Sequence, residues 1–186
     1  MACDEPGNAG EGLTTDADDV ADPKRNGNYT DARHKALWGV LLAGGAGTEW
    51  YFGYKYKHSD LTLQDFRSRD RWWDYCRHAL GFFEQNKIPF HEMENHNEAI
   101  GNSRNGNAAG YCFAKPGEIY VVYLREAIPR DLFPADGNYG IRWFDPRNGG
   151  DLQVGSVKEM PGGIGSSLGS PPSDPDKDWV VLVRKL

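Results

Sequence analysis

The second half of the chain contains four short segments rich in β-branched and aromatic residues, and these constrain the fold more than any other sequence feature. Turns that contain glycine or proline separate the segments, and the third segment alternates with period two. Such a series predicts an antiparallel β-sandwich over residues 106–186. The segments are Y-C-F-A at 111–114, I-Y-V-V-Y-L at 119–124, Y-G-I-R-W-F at 139–144 and W-V-V-L-V-R at 179–184.

The first half predicts two helices and a strand between them. Asp31 is a suitable N-cap for a helix over 32–43, where apolar residues recur at helical spacing until Gly44-Gly45 ends the run. The next run, A-G-T-E-W-Y-F-G-Y, is rich in residues that favour strands. It predicts a strand over 48–52.

A second, longer helix is predicted over 62–86. Thr62 and Asp65 form a variant of the capping box at its start. Phe66, Trp73 and Leu80 recur every seven residues and are expected to lie on a wide buried face. Further apolar residues of that face are Trp72, Cys76, Ala79 and Phe83. The charged residues expected on the solvated face are Arg67, Arg69, Asp70, Arg71 and Asp74.

Charge and hydrophobicity exclude two classes of partner. The formal net charge is −6, and no stripe of lysine and arginine offsets it, so nucleic acid is not expected as a partner. No apolar run approaches the roughly 20 residues that span a bilayer, so no membrane segment is expected. Met1 is not followed by a basic and then apolar segment, so the sequence predicts no export signal in this chain.

Several polar or reactive residues allow a functional and a structural interpretation. The acidic stretch 8–31 is either a solvated loop or a source of cation ligands, and its spacing misses the order of a calcium loop, which favours the loop. His91 and His96, with two glutamates between them, favour a linker over a metal site. The three cysteines are predicted to be buried, reduced thiols. We therefore expect no metal and no cofactor. The aspartates of the acidic stretch are Asp16, Asp18, Asp19 and Asp22.

Four residues stand out in the third strand-like segment and after it. One interpretation is a binding face for a glycan or another partner. The other, which we favour, is an arginine–aspartate pair across strands at a sheet edge, beside a tryptophan in the core. The residues are Arg142, Trp143, Asp145 and Arg147.

The chain resembles a family of glycoside-hydrolase-like (β/α)8-barrel proteins related to bacterial apiosidases. In that family a small β-domain follows the barrel and is named after the collagen-binding domain of a collagenase. The phrases that carry the resemblance are A-C-D-E-P-G, L-W-G-V-L-L-A-G-G-A-G-T-E-W-Y-F-G-Y, Y-C-F-A-K-P-G-E-I-Y-V-V-Y-L, G-N-Y-G-I-R-W-F-D-P-R-N-G-G and D-W-V-V-L-V-R.

The resemblance implies that the chain is the C-terminal part of such a protein. Residues 2–5 match the end of the seventh barrel strand, 46–52 match the eighth strand, and the two predicted helices match the helices that follow these strands. A complete barrel takes about 250 residues, so most of it is absent here. The expected architecture is α+β, with a barrel remnant over 1–95 and a β-sandwich over 106–186.

The resemblance also implies a site at the ends of the two strands. Glu5 matches a catalytic carboxylate, because barrel active sites lie at the carboxyl ends of strands. Glu49, Trp50 and Tyr51 are expected to line the same sugar site, with the tryptophan and tyrosine faces suited to sugar rings. Asp4 is expected to be a supporting or solvated carboxylate. The partner acid that glycoside hydrolysis needs lies on an earlier strand of the family's barrel.

The function implied is hydrolysis of glycosidic bonds in a polysaccharide by the parent protein, which is expected to be exported. The isolated chain is expected to be inactive. The alternative is a non-catalytic module whose sandwich holds carbohydrate or an extracellular protein such as collagen.

Overall fold

A computed structural model describes the backbone of Ala2–Cys3 and residues 12–54, 65–101, 110–126 and 130–186. The fold is α+β, as predicted, and the chain forms two compact units. The first unit comprises residues 1–41 and 45–79, and the second comprises residues 42–44 and 80–186. No helix in these described ranges combines the length and the hydrophobicity of a membrane span.

The helices and strands are short, apart from one helix and four strands. The helices are α1 (Asp16–Ala21), α2 (Tyr29–Asp31), α3 (Trp38–Leu41) and α4 (Asp70–Gln85), and a π-helical segment (Ala32–Leu37) joins α2 to α3. The 3-10 turns are Phe66–Arg69, Phe90–Glu92 and Asn97–Ile100. The strands are β1 (Ala2–Cys3), β2 (Gly47–Thr48), β3 (Glu94–Asn95), β4 (Gly110–Lys115), β5 (Ile119–Leu124), β6 (Asp131–Leu132), β7 (Asn138–Phe144), β8 (Glu159–Pro161), β9 (Ser166–Ser167) and β10 (Trp179–Lys185).

The acidic stretch before the first predicted helix is partly helical. The side chain of Thr15 caps α1 by accepting a hydrogen bond from the Asp18 N–H at 3.2 Å. Three aspartates occupy the first turn of α1, where the helix dipole favours negative charge. The prediction of a solvated loop throughout 8–31 is therefore wrong over Asp16–Ala21.

The helical segment predicted over 32–43 begins earlier and ends slightly sooner. Asn28, and not Asp31, is its N-cap, because the Asn28 side chain accepts a hydrogen bond from the Asp31 N–H at 2.8 Å. The segment runs through the π-helical turn to Leu41. Gly44 follows with a φ of 82°, the left-handed conformation in which glycine commonly ends a helix.

β1 and β2 form a parallel pair in the first unit. Ala2 pairs with Gly47 and Cys3 with Thr48. The strand predicted over 48–52 is shorter than expected, because regular pairing ends at Thr48. After Thr48 the chain is held by a loop. The Tyr51 carbonyl accepts a hydrogen bond from the Leu13 N–H of that loop at 2.7 Å.

α4 confirms the second predicted helix, but a different row of its residues is buried. Trp72, Ala79 and Phe82 are almost fully buried, whereas Phe66 and Leu80 are 52% and 62% exposed. The prediction that Phe66, Trp73 and Leu80 lie on a buried face is therefore wrong for Phe66 and Leu80. Thr62 and its capping interaction lie outside the described residues.

A polar contact accounts for the rotation of this face. Arg69 is completely buried, and its Nε and Nη2 atoms donate hydrogen bonds to the Leu13 carbonyl at 3.2 and 3.0 Å. A buried guanidinium needs such partners, and here the partner lies far away in the sequence. The assignment of Arg69 to a solvated face is wrong for this reason.

The second unit is built on a six-stranded antiparallel sheet. The strand order is β3-β4-β5-β10-β7-β8, so β10 lies between β5 and β7. The four strand-like segments of the sequence correspond to β4, β5, β7 and β10, which confirms those predictions. β6 and β9 form a separate two-stranded antiparallel sheet.

Both faces of the large sheet are covered within the second unit. On one face, Leu132 of β6 and Leu168, which follows β9, belong to the same buried cluster as Ile141 and Val181. On the other face, the Phe113 ring lies 4.8 Å from the ring of Phe90. Burial on both sides explains why β5 and β10 consist of nearly continuous apolar residues.

Three of the four residues that stood out near the third segment have structural contacts, whereas Arg142 is exposed. Trp143 is fully buried, and Asp145 accepts hydrogen bonds from the Nε and Nη2 atoms of Arg147 at 2.8 Å each. The guanidinium of Arg147 also lies over the Trp179 ring, 5.3 Å from its centroid. The core tryptophan of the favoured interpretation is confirmed, but the predicted ion pair across strands at a sheet edge is wrong, because Asp145 and Arg147 lie in one turn after β7, which is flanked by β10 and β8.

Trp72 and Trp73 provide a matched test of the helix face. We expect Trp72→Ala to lower the free energy of unfolding by roughly 3–5 kcal/mol, because the fully buried ring leaves a cavity. Trp73→Ala removes the same atoms from a half-buried position and should cost roughly 1–2 kcal/mol. Urea unfolding followed by circular dichroism measures both values. Equal losses would contradict the assigned face.

Asp145 should make stability depend on pH. Burial alone would raise the pKa of this carboxyl, but hydrogen bonds from Arg147 and Asn148 outweigh burial and hold the pKa below its usual value. The stabilisation is therefore complete above the unfolded-state pKa of about 3.9 and is lost as the pH falls through the lower folded-state pKa. At pH 7, Asp145→Asn should cost roughly 1.5–3 kcal/mol.

Urea unfolding between pH 7 and pH 2.5 checks this dependence. The gap between wild type and Asp145→Asn should stay constant down to about pH 5 and narrow below pH 4. Asp151→Asn is the control, since Asp151 is exposed and should change stability little at any pH. A gap of the same size at pH 2.5 and pH 7 would contradict the assignment.

Candidate functional site

The candidate site lies where the parallel strands of the first unit end. Because Cys3 and Thr48 are register partners, β1 and β2 end at the same edge of the pair. Glu49, Trp50 and Tyr51 follow β2 directly. Glu5, the predicted catalytic carboxylate, lies outside the described residues, as does Asp4.

Trp50 is half-buried and rests on a buried aromatic cluster. Its ring meets the ring of Trp72 edge-on, with centroids 4.4 Å apart and planes at 77°. Trp72 in turn contacts the rings of Tyr29 and Tyr75 at 5.5 and 5.9 Å. This packing fixes one edge of the indole and leaves the residue partly accessible to solvent.

The residues on either side of Trp50 are also accessible. Tyr51 is half-buried, and its ring meets the ring of Tyr54 edge-on at 5.7 Å. Tyr54 is 55% exposed, and Glu49 is exposed as well. The structure thus brings accessible aromatic surface and a carboxylate together at the strand end, in a segment that sequence analysis assigned to the site.

A buried polar network lies next to the aromatic cluster. The Tyr29 hydroxyl donates to Asp16 at 2.7 Å, the Tyr29 N–H donates to Asp19 at 2.7 Å, and Arg71 forms an ion pair with Asp19. Burial and the bond to Asp16 raise the pKa of Tyr29 far above its usual value, so the phenol stays protonated. Arg71 is partly exposed, as expected for the solvated face, but its guanidinium is engaged by Asp19.

The same network decides the role of two of the aspartates. Asp16 and Asp19 accept hydrogen bonds from groups of this chain, so their oxygens serve the fold. In the described parts of the chain, no group of three or more metal-binding side chains occurs. The spacing of the aspartates does not reveal this role, because Asp19 is paired with Tyr29, 10 positions away, and with Arg71, 52 positions away.

A cation–π contact supports the segment that follows β2. Phe52, next to Tyr51, is buried, and the Arg69 guanidinium lies 4.3 Å from its ring centroid. Such contacts favour the charged group over the face of the ring. Together with the bonds from Arg69 to the Leu13 carbonyl, this contact fixes the backbone on which Tyr51 lies.

Cys76 contacts Trp50 but is not a nucleophile. Burial raises the pKa of its thiol to about 12, and a hydrogen bond with the Trp50 side chain opposes this shift only in part. Because the thiolate is the reactive form, Cys76 is inert near neutral pH. Burial also raises the pKa of Cys112.

The two histidines of the predicted linker contact different glutamates. His96 Nδ1 lies 2.7 Å from a carboxylate oxygen of Glu98, whereas His91 Nε2 lies 3.5 Å from one of Glu92. Glu92 also pairs with Lys115 at 2.8 Å. Glu94 lies near His96 instead, 3.6 Å from its Nε2, so within residues 90–101 the two histidines contact different carboxylates.

Comparisons with known proteins show a shared fold. No family model matches the sequence, and no curated protein sequence matches it significantly. A structure described as a glycoside hydrolase superimposes with a TM-score of 0.60 and 17% identity, over 84% of this chain and 36% of its own. A glycoside hydrolase family 5 protein from Bacteroides vulgatus superimposes with a TM-score of 0.64 and 16% identity, over 95% of this chain and 40% of its own.

These matches extend over most of this chain but only part of each hydrolase. The chain spans well under half the length of either protein, so it shares the fold of a portion of each. The likeness to glycoside hydrolases agrees with the resemblance drawn from the sequence. Neither description mentions an apiosidase or collagen binding, so those two parts of the resemblance stay predictions.

Proposed function

We propose that this chain belongs to a polysaccharide-degrading protein and contains part of its (β/α)8 barrel. The observation that carries the proposal is the parallel pairing of β1 with β2. Parallel neighbours need a crossover connection, and the chain between these strands contains α1, α2 and α3. The fold shared with two glycoside hydrolases supports the same interpretation.

In this proposal Glu5 is a catalytic carboxylate at the end of the seventh barrel strand. The residue lies two positions after Cys3, the last residue of β1. Glu49, Trp50 and Tyr51 line the sugar site at the end of the neighbouring strand. A retaining enzyme needs a second carboxyl group about 5–5.5 Å from the first, and the proposed partner belongs to an earlier strand of the barrel.

The second unit is, in this proposal, a β-sandwich accessory domain. Its layers are the six-stranded sheet and the β6–β9 sheet, which contribute to one buried cluster. We place the barrel remnant at residues 1–95 and the sandwich proper at 106–186, so that β3 (Glu94–Asn95), at the end of the remnant, adds an edge strand to the sandwich's large sheet. The domain would hold carbohydrate beside the catalytic site. A purely non-catalytic binding module is the alternative that the experiments below distinguish.

The binding part of the proposal is tested at Trp50. Stacking of a sugar on an aromatic ring contributes binding energy, so Trp50→Ala should weaken binding of a polysaccharide recognised by the wild type by roughly twofold to tenfold. Affinity electrophoresis against neutral plant polysaccharides measures this change. Trp73→Ala is the matched control, because Trp73 is also a half-buried tryptophan of the first unit but lies outside the proposed site.

Two outcomes would contradict a direct role of Trp50 in binding. Equal binding by wild type and Trp50→Ala would remove Trp50 from the site. Equal weakening by both tryptophan variants would indicate a general effect on folding, which circular dichroism of the two variants would reveal.

The catalytic part is tested at Glu5. The 186-residue chain should leave polysaccharides intact, because one carboxylate lacks the partner that glycoside hydrolysis requires. After extension upstream to a complete barrel, hydrolysis should appear, and Glu5→Gln should abolish most of it, because the amide keeps the shape of the side chain and removes its charge. A reducing-sugar assay measures turnover. A fully active Glu5→Gln enzyme would overturn the assignment.

A further inference from the structure

A cleft of about 330 Å³ opens on the second unit. It lies beside the C-terminal end of α4, the start of β5 and the end of β10. We call it the Lys87 cleft. Its size lies at the lower end of the range of about 300–1,000 Å³ that is typical of ligand pockets. Pro89 and Ile119 provide apolar surface within it. The full lining is Lys87, Pro89, Glu118, Ile119, Arg184 and Lys185.

The cleft is positively charged in a chain whose net charge is −6. Its one carboxylate, Glu118, is outnumbered by three cationic lining residues and also pairs with Lys115 at 2.7 Å, a lysine that it shares with Glu92. Among the residues that the structure describes, Lys87, Arg184 and Lys185 have no carboxylate within ion-pair distance. The lining therefore carries uncompensated positive charge.

Arg184 presents most of its hydrogen-bond donors to a ligand. Its Nη2 donates to the Asn86 carbonyl at 2.7 Å, which anchors the side chain at the end of α4. A guanidinium carries five N–H donors in a planar fork, and no other described residue accepts from the rest. This geometry matches a carboxylate, which accepts two parallel bonds from arginine.

Lys87 occupies a backbone position where glycine is the usual residue. Its N–H donates to the Glu84 carbonyl at 3.0 Å, and the Ile88 N–H donates to the Phe83 carbonyl at 3.0 Å. These two bonds form a Schellman motif, in which Lys87 has a φ of 49°. A lysine is disfavoured in this left-handed conformation, and yet a lysine lines the cleft at this position.

We propose that the Lys87 cleft binds a sugar that carries a carboxylate, namely a uronic acid residue of an acidic polysaccharide. Arg184 and Lys87 bind the carboxylate, and Pro89 contacts the apolar face of the sugar ring. Lys185 adds positive charge at the end of β10. The choice of an acidic sugar rests on the function proposed above, whereas the choice of an anion that accepts paired bonds from arginine rests on the cleft alone.

The experiment uses the full chain and polygalacturonate as the acidic probe. Isothermal titration calorimetry should show binding that weakens as salt is raised, and fully methyl-esterified polygalacturonate should not bind at the cleft. Lys87→Gly should weaken binding of polygalacturonate roughly tenfold, the effect of losing one charge-assisted contact. The variant should keep or raise the melting temperature, since glycine suits the left-handed position.

Controls separate the possible outcomes. Lys158→Ala removes an exposed lysine outside the cleft and should leave the affinity unchanged. If Lys87→Gly binds polygalacturonate as the wild type does, the cleft proposal is overturned. Binding of poly-L-glutamate that is tighter and sensitive to Lys87→Gly would assign the cleft to an acidic polypeptide and overturn the sugar assignment.

The proposed function can fail independently of the cleft. Neutral polysaccharide binding that depends on Trp50 would support the proposed function even where polygalacturonate does not bind. If polygalacturonate binding depends on Lys87 and Trp50→Ala changes the binding of no polysaccharide, the cleft is supported and the proposed sugar site is contradicted. Absence of binding to every polysaccharide would overturn both.

Discussion

The pairing of β10 with two neighbours is the interaction on which the second unit depends. β10 forms six residue pairs with β5 and six with β7. Without it, the ladder β3-β4-β5 and the ladder β7-β8 would be separate, and each would expose a long apolar edge. Arg184, which we propose binds the carboxylate, lies near the end of β10. Its position is therefore set by the most strongly paired strand of the sheet.

The first unit depends instead on buried polar groups with partners distant in sequence. Arg69 binds the Leu13 carbonyl, and Arg71 and Tyr29 bind Asp19. Removing one partner from such a contact is costly, because the other group is left buried and unsatisfied. These contacts lie next to Trp72, the ring on which Trp50 rests. The polar network therefore supports the aromatic surface of the candidate site, although it does not form that surface.

The sequence predicts the strands better than it predicts the helix faces or the site. β5 and β10 are recognisable because strands buried on both faces are continuous apolar runs bounded by turns. The buried side of α4 is not recognisable from the sequence, because the helix faces that contain Phe66 and Trp72 are both rich in aromatic residues. The choice between them depends on the contact of Arg69 with Leu13, 56 positions away in the sequence. Trp50 and Tyr51 were predicted from a resemblance to line a site, and that role stays a prediction. Glu5 stays a prediction.

Backbone strain separates the Lys87 cleft from an ordinary patch of surface charge. Two described non-glycine residues have positive φ, Lys87 and Asp174. Aspartate is among the residues that tolerate this conformation, and Asp174 closes a turn through a bond from the Lys177 N–H to its carbonyl at 3.0 Å. Lysine lacks that side-chain tolerance, and the left-handed conformation costs about 1–2 kcal/mol, which the favourable position of a cation after the C-terminus of α4 offsets by only about 0.3–1 kcal/mol. A glycine would complete the same helix end without that cost, so the proposed carboxylate site gives a reason for a lysine at a position that the fold itself would give to glycine.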